Sequence, residues 1–78
     1  MELTRNETLL LARLMQAPDT VLSCRDLARN PLGYEVSDRE AEEIIRPHIS
    51  RLRNKIERDP AHPTLIRTIL GKGYLFAP

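Results

Sequence analysis

Seventy-eight residues, 41% hydrophobic and 29% charged, read as one small domain over residues 1–78, with a core near the lower limit for folding alone. No apolar run is long enough to span a membrane. The opening MELTRNE lacks the basic start and apolar middle of a signal peptide, and a lone cysteine, Cys24, leaves no internal disulfide, so a reducing cytoplasm is the expected compartment. The formal net charge of +1 hides a segregation: residues 1–45 carry five Arg and nine acids, while residues 46–78 carry five Arg, two Lys and two acids. That imbalance suggests a basic face in the second half that attracts a polyanion; charges clustering by chance on a solvated protein is the competing reading.

Thr4 and Glu7 have capping-box spacing, so a helix starts there. It carries Leu10, Leu11, Leu14 and Met15 on one side and ends at Pro18-Asp19. A short extended piece, Thr20-Val21-Leu22, leads to Ser23, the N-cap of a second helix holding Leu27 and Ala28. Cys24 sits at that helix end as a packing residue rather than a reactive thiol. Asn30, Pro31 and Gly33 close the helix.

Ser37 and Glu40 form another capping box and open the longest periodic segment. Ile45, Ile49, Leu52 and Ile56 make a narrow apolar stripe facing a core. At about 100° per residue, Ser50, Arg51, Asn54 and Arg58 fall on the far side, Arg46 and Arg53 on one flank, His48 and Lys55 on the other. Pro47 breaks the local rules, removing a hydrogen bond and crowding the Glu43 carbonyl. Either one helix bends at Pro47 or the true helix starts near it; the shared register of Ile45 and Ile49 favours one bent helix, ending at Asp59-Pro60 and His62-Pro63. The tail TLIRTILGKGYLFAP reads as a hairpin turning at Gly71-Lys72-Gly73, with Lys72 at the tip and Tyr74 and Phe76 as core or sheet residues.

The expected fold is therefore mainly α with a small β-hairpin: two helices, a third with a basic outer face, and an appended wing, a winged helix-turn-helix. An α-helix fits the major groove of DNA, and Arg and Lys neutralise phosphates. A solvated helix packed on two others is the plain alternative. His48 has only His62 as a possible co-ligand, beyond intervening prolines, so neither a metal centre nor a catalytic base is expected. Gly71-Lys72-Gly73 lacks the pattern of a phosphate-binding loop. No nucleophile–base pair or paired carboxylates can be assembled, so no enzyme activity and no cofactor are expected.

The segments LTRNETLLLARL, LSCRDLARNPLGY and HISRLRNKIERDPAHPTLIRTILGKGYLFAP together resemble the effector domain of OmpR/PhoB-type response regulators, over nearly the whole chain. The most specific portion is H-I-S-R-L-R-x-K-I, then D-P-x-x-P, then I-x-T-x-x-G-x-G-Y-x-F. The resemblance implies a transcription regulator of two-component systems that binds double-stranded promoter DNA at direct repeats as a head-to-tail pair. It places the recognition helix within Ser37–Arg58 and makes Arg51 the major-groove base reader. It also matches His48, Ser50, Arg53 and Thr68 to phosphate contacts, and the Gly33–Asp38 loop to a face for RNA polymerase. Arg46, Asn54, Lys55 and Lys72 complete the candidate DNA-contacting set. The sequence departs from the family at Leu70, where an Arg often precedes the turn glycine, and at Glu43, Ile44, Pro47 and Cys24. Family domains also begin with a small antiparallel sheet and accompany a receiver domain; this chain starts at its first helix. A winged helix that docks on an acidic protein partner is the alternative function.

Overall fold

The computed structural model describes residues 2–78. Its elements run α1 (Arg5–Gln16), α2 (Cys24–Arg29), α3 (Asp38–Ile56), β1 (Ile66–Ile69) and β2 (Gly73–Phe76). Thr4 Oγ1 accepts the Glu7 amide at 3.2 Å, and Glu7 takes the Thr4 amide at 2.7 Å, so the expected capping box starts α1. Leu10 and Leu14 are fully buried and Leu11 half-buried. Met15 is 53% exposed, contrary to its place in the expected stripe. It sits about 100° around the helix from Leu14, beyond the edge that α1 packs against α3 and β2.

After α1, Asp19 adopts a φ of 58°, a left-handed conformation that Asp tolerates better than most residues. The expected connection at 20–22 does more than connect. Asp19 N–H donates to the Phe76 carbonyl at 2.8 Å, and Leu22 and Tyr74 exchange both backbone bonds at 2.8 and 2.9 Å, so this segment lies along the outer edge of β2. The approach depends on Gly73: a Cβ there would sit 2.1 Å from the Leu22 carbonyl oxygen. On the other edge β2 pairs antiparallel with β1, Thr68 opposite Tyr74 and Ile69 opposite Gly73. The turn is therefore Leu70-Gly71-Lys72, with Gly71 at φ 72° and Gly73 already in the strand.

Ser23 and Asp26 form a capping box that the sequence reading did not single out, at 3.0 and 3.2 Å. Ser37 caps α3, but only half of the expected box forms. Glu40 N–H donates to Ser37 Oγ at 3.3 Å, while the Glu40 carboxylate takes the Ser37 hydroxyl at 3.0 Å instead of the N-cap amide. α3 is continuous for 19 residues with Pro47 inside it. Ala41, Ile45, Ile49 and Leu52 are buried, and Ile56 is half-buried.

The helix ends at Ile56, short of Asp59-Pro60, and the cause is Glu57. Its buried carboxylate turns onto the next strand and accepts the amides of Thr64 (3.0 Å), Leu65 (3.1 Å to each oxygen) and Ile66 (2.8 Å). Burial works against that charge, but the three amides and the nearby Arg53 guanidinium outweigh it and hold the Glu57 carboxyl below the usual range. Arg58, expected on the outer helical face, consequently lies beyond the helix and is exposed. The core gathers Leu10, Leu14, Leu27, Ile49, Leu52 and Ile66 with neighbours from every element, and α3 is its central strut, touching both α1 and α2.

Candidate nucleic-acid interface

The stripe that buries α3 decides which of its side chains face solvent. Ser50, Arg51 and Asn54 stand on the opposite face and are exposed. Among the described residues Arg51 has no ion-pair or hydrogen-bond partner, so its guanidinium is free to meet a ligand. Arg46 is exposed too, held to Glu42 at 3.3 Å. An exposed i,i+4 pair is worth only about 0.3–0.5 kcal/mol, so Arg46 is released cheaply.

The two flanks of α3 have separate fates. His48 and Lys55 turn toward α1. Lys55 Nζ lies 2.6 Å from the buried Glu7 carboxylate, and this ammonium, with the Thr4 amide, holds Glu7 below the usual carboxyl range. His48 Nδ1 is 2.7 Å from the Ile44 carbonyl and must donate to it, which leaves Nε2 toward the Asn6 amide at 3.5 Å. Both residues were expected at the DNA surface; the structure uses Lys55 to tie α3 to α1 and directs both ring nitrogens of His48 inward. The acceptor for Lys55 is far away in sequence, and Glu7 already had a local capping role, so nothing in the pattern announced the pair.

On the other flank Arg53 turns toward the wing. Its Nε and Nη2 donate to the Ile66 carbonyl at 3.1 and 2.7 Å, and Nη2 also donates to Thr68 Oγ1 at 2.8 Å. The guanidinium carbon lies 5.4 Å from the centre of the Tyr74 ring, within cation–π range. Thr68 and Lys72, at the middle and tip of the wing, are exposed. Between α3, the start of α2 and the wing runs an open cleft of about 420 Å³, lined by Ser23, Cys24, Arg46, Thr68, Lys72 and Tyr74 among others. A second hollow of about 540 Å³ continues past Ser50, Arg53 and Asn54 to Pro60, with Arg46 and Tyr74 shared between the two. Six of the nine expected contacts, Arg46, Ser50, Arg51, Asn54, Thr68 and Lys72, thus lie on the exposed surface of α3 and the wing.

Cys24 stands at the first turn of α2, half-buried in this cleft. Burial, with Glu42 nearby, raises its thiol pKa and makes the thiolate less available. The first two turns of α3 carry four exposed acids, Asp38, Glu40, Glu42 and Glu43, so the cationic character of the helix begins only at Arg46. At the wing tip Leu70 is 89% exposed.

The amino-acid sequence that builds this helix and wing matches the model of the family described as "Transcriptional regulatory protein, C terminal" over residues 1–76. The chain belongs to that family. It is 41% identical to a probable transcriptional regulator ycf27 of Cyanidium caldarium, over 94% of this chain and 30% of the relative. It is also 41% identical to the DNA-binding dual master transcriptional regulator RpaA of a Synechocystis strain, again over 94% of this chain and 30% of that protein. The chain thus spans about a third of the length of these curated relatives.

Solved structures agree with the architecture. The DNA-binding domain of Klebsiella pneumoniae RstA, solved in complex with the RstA box, superposes with a TM-score of 0.86 at 28% identity, over 97% of this chain and 73% of that one. The response regulator DrrB of Thermotoga maritima, described as an OmpR/PhoB homologue, gives 0.81 at 31% identity, over 99% of this chain and 34% of that one. The fold of this OmpR/PhoB-type domain is mainly helical with a small antiparallel hairpin, a winged helix. Among the described residues no strand precedes α1, and no helix is long and apolar enough to cross a membrane.

Proposed function

We propose that residues 1–78 act as one DNA-binding domain that recognises double-stranded promoter DNA and serves transcription control. They would form the output domain of a cytoplasmic two-component response regulator, without an enzymatic step. The observation that carries this reading is Arg51, exposed and without a partner among the described residues, on the outward face of the helix that packs against both α1 and α2. An α-helix fits the major groove, and a free guanidinium there can grip guanine O6 and N7 together. Asn54 flanks Arg51 toward the same groove, while Arg46, Ser50, Thr68 and Lys72 meet the phosphates on either side. Pairing of two copies head to tail on repeated half-sites, and a contact of the Gly33–Asp38 loop with RNA polymerase, belong to the same proposal. Tyr34, 47% exposed in that loop, gives such a contact an apolar anchor.

The competing reading, a winged helix that docks on an acidic protein, draws on exposed Leu70 and on Glu43, an acid on the outward side of α3. Titration with mixed-sequence duplex at two salt concentrations separates them. Two phosphates met by cations, Arg46 and Lys72, imply about a 12-fold loss of affinity between 50 and 200 mM salt, at a slope of roughly −0.9 per neutralised phosphate. An absence of duplex binding at the lower salt would support the protein-docking reading.

A further inference from the structure

We propose that Glu43 is a specificity-determining residue: its carboxylate accepts a hydrogen bond from the N4 amino group of a cytosine in the major groove, beside the base met by Arg51. This rests on the duplex-binding reading above and adds a determinant that the cations do not supply. The core sets the direction of the side chain. Leu52 is fully buried and follows Glu43 by nine residues, which at about 100° per residue puts the two on opposite sides of α3. Asn54 points within about 20° of the same direction as Glu43. Glu43 is exposed and thus occupies the centre of the outward face, between the flanks that meet phosphates. It also belongs to the N-terminal half of α3, the end of a recognition helix whose residues contact base edges.

Four exposed acids open α3, and three of them are placed elsewhere. Glu40 takes the Ser37 hydroxyl at 3.0 Å, Glu42 holds Arg46 at 3.3 Å, and Asp38 lines the cleft beside the wing. Among the described residues Glu43 pairs only with Arg39, at 3.7 Å, with the two side chains 69% and 90% exposed. An exposed pair so loosely held contributes little and yields to a better partner.

The base edges decide what an acid can meet there. Guanine offers the acceptors N7 and O6, and thymine offers O4 and a methyl group, so neither donates to a carboxylate. Adenine has the N6 donor, but its N7 acceptor lies beside it and repels the second carboxylate oxygen. Cytosine presents N4–H2 and has no acceptor of its own in the groove. The carboxylate also repels the phosphates that its cationic neighbours attract. It therefore weakens binding to every duplex and restores part of the loss only at a cytosine, so much of the discrimination comes from rejecting other pairs. From Glu43 to Arg51 the helix rises about 12 Å, or roughly three to four base-pair steps of about 3.4 Å.

Selection from a random duplex pool by the wild type, Glu43→Gln and Glu43→Ala tests this. The wild type should enrich a cytosine roughly three to four pairs from the guanine whose preference Arg51→Ala removes. Glutamine pairs with adenine N6 and N7 together, so Glu43→Gln should move the preference at that position from cytosine to adenine by about 10-fold. Glu43→Ala should accept all four pairs there within about 2-fold and should bind mixed-sequence duplex about 3-fold more tightly than the wild type. The wild type titrated with duplexes differing only at that pair gives the same readout without a variant: about 10-fold weaker binding whenever the cytosine is replaced.

An enriched site shared by the wild type and Glu43→Gln would overturn the proposal, as would equal wild-type affinity for all four pairs. Should Glu43→Ala tighten mixed-sequence binding and keep the wild-type site, Glu43 merely repels phosphate and the base reading is wrong. A wild-type chain that binds no duplex overturns the functional reading and this proposal together. Binding with no cytosine preference at that spacing overturns this one alone.

Discussion

Replacing Glu57 by Gln changes one atom in the carboxylate and leaves its volume alone. In the wild type Oε2 accepts the Ile66 amide at 2.8 Å, Oε1 accepts Thr64 at 3.0 Å, and Leu65 is shared at 3.1 Å. The glutamine nitrogen cannot accept, so whichever way the amide turns, Ile66 or Thr64 loses its acceptor and the charge assistance goes too. A buried donor left without a partner, with loss of a charged acceptor, costs roughly 2–3 kcal/mol. For 78 residues an unfolding entropy of about 2.1 cal/mol/K each makes 1 kcal/mol worth about 6 °C, so Tm should fall by about 12–18 °C at neutral pH. Denaturant unfolding should show the same loss as a lower midpoint with an unchanged slope.

Acid provides a second check on the same residue. Glu57 is held below the usual carboxyl range in the fold, so its contribution is complete above the unfolded pKa of roughly 4.3 and fades as pH falls through the lower folded value. The gap between wild type and Glu57→Gln should therefore narrow on acidification. A Tm loss under about 4 °C at pH 7, or a gap that stays constant to the acid limit of folding, would show that the carboxylate does not hold the start of the wing.

Other residues yield equally definite expectations. Gly73→Ala should cost about 3 kcal/mol, from a φ of 148° and a Cβ 2.1 Å from the Leu22 oxygen, whereas Gly71→Ala, with open space around its Cβ, should cost only about 1 kcal/mol; thermal melts compare the two. Glu7 is also held low, by Lys55 first, so its stabilisation is present above the usual glutamate pKa and lost as pH falls through the folded one. Glu7→Gln should flatten that acid limb in a pH series of melts. Pro47→Ala should restore an amide donor for the Glu43 carbonyl and raise stability by about 1–2 kcal/mol after the unfolded chain's gain in freedom is subtracted; a lower midpoint in denaturant would mean that Pro47 is well placed where it stands.

What was legible beforehand was local. The capping spacing of Thr4 with Glu7 and the four-residue recurrence of Ile45 and Ile49 are written in adjacent turns, so helix starts and the buried stripe follow from pattern alone. The stripe also placed Ser50, Arg51 and Asn54 outward, because a helix cannot bury one face without exposing the other. Long-range pairing was not legible. Lys55 and Arg53 look like solvent cations on a wheel, and only the packing of α1 and the hairpin against the two flanks supplies Glu7, Ile66 and Thr68 as partners. Glu57 was missed for the same reason: the donors it accepts from are backbone amides, which carry no residue-specific signal. Met15 failed because an apolar side chain at the edge of a stripe remains exposed when no element covers that side.

The most direct test of duplex recognition by α3 is selection of bound sequences from a random duplex pool by the wild type and by Arg51→Ala. The wild type should enrich a defined site containing a guanine whose substitution costs about 1–3 kcal/mol, and the alanine variant should lose preference at that one position while retaining the remainder of the site. Identical enriched sites and equal affinities for the two proteins would contradict base reading by Arg51.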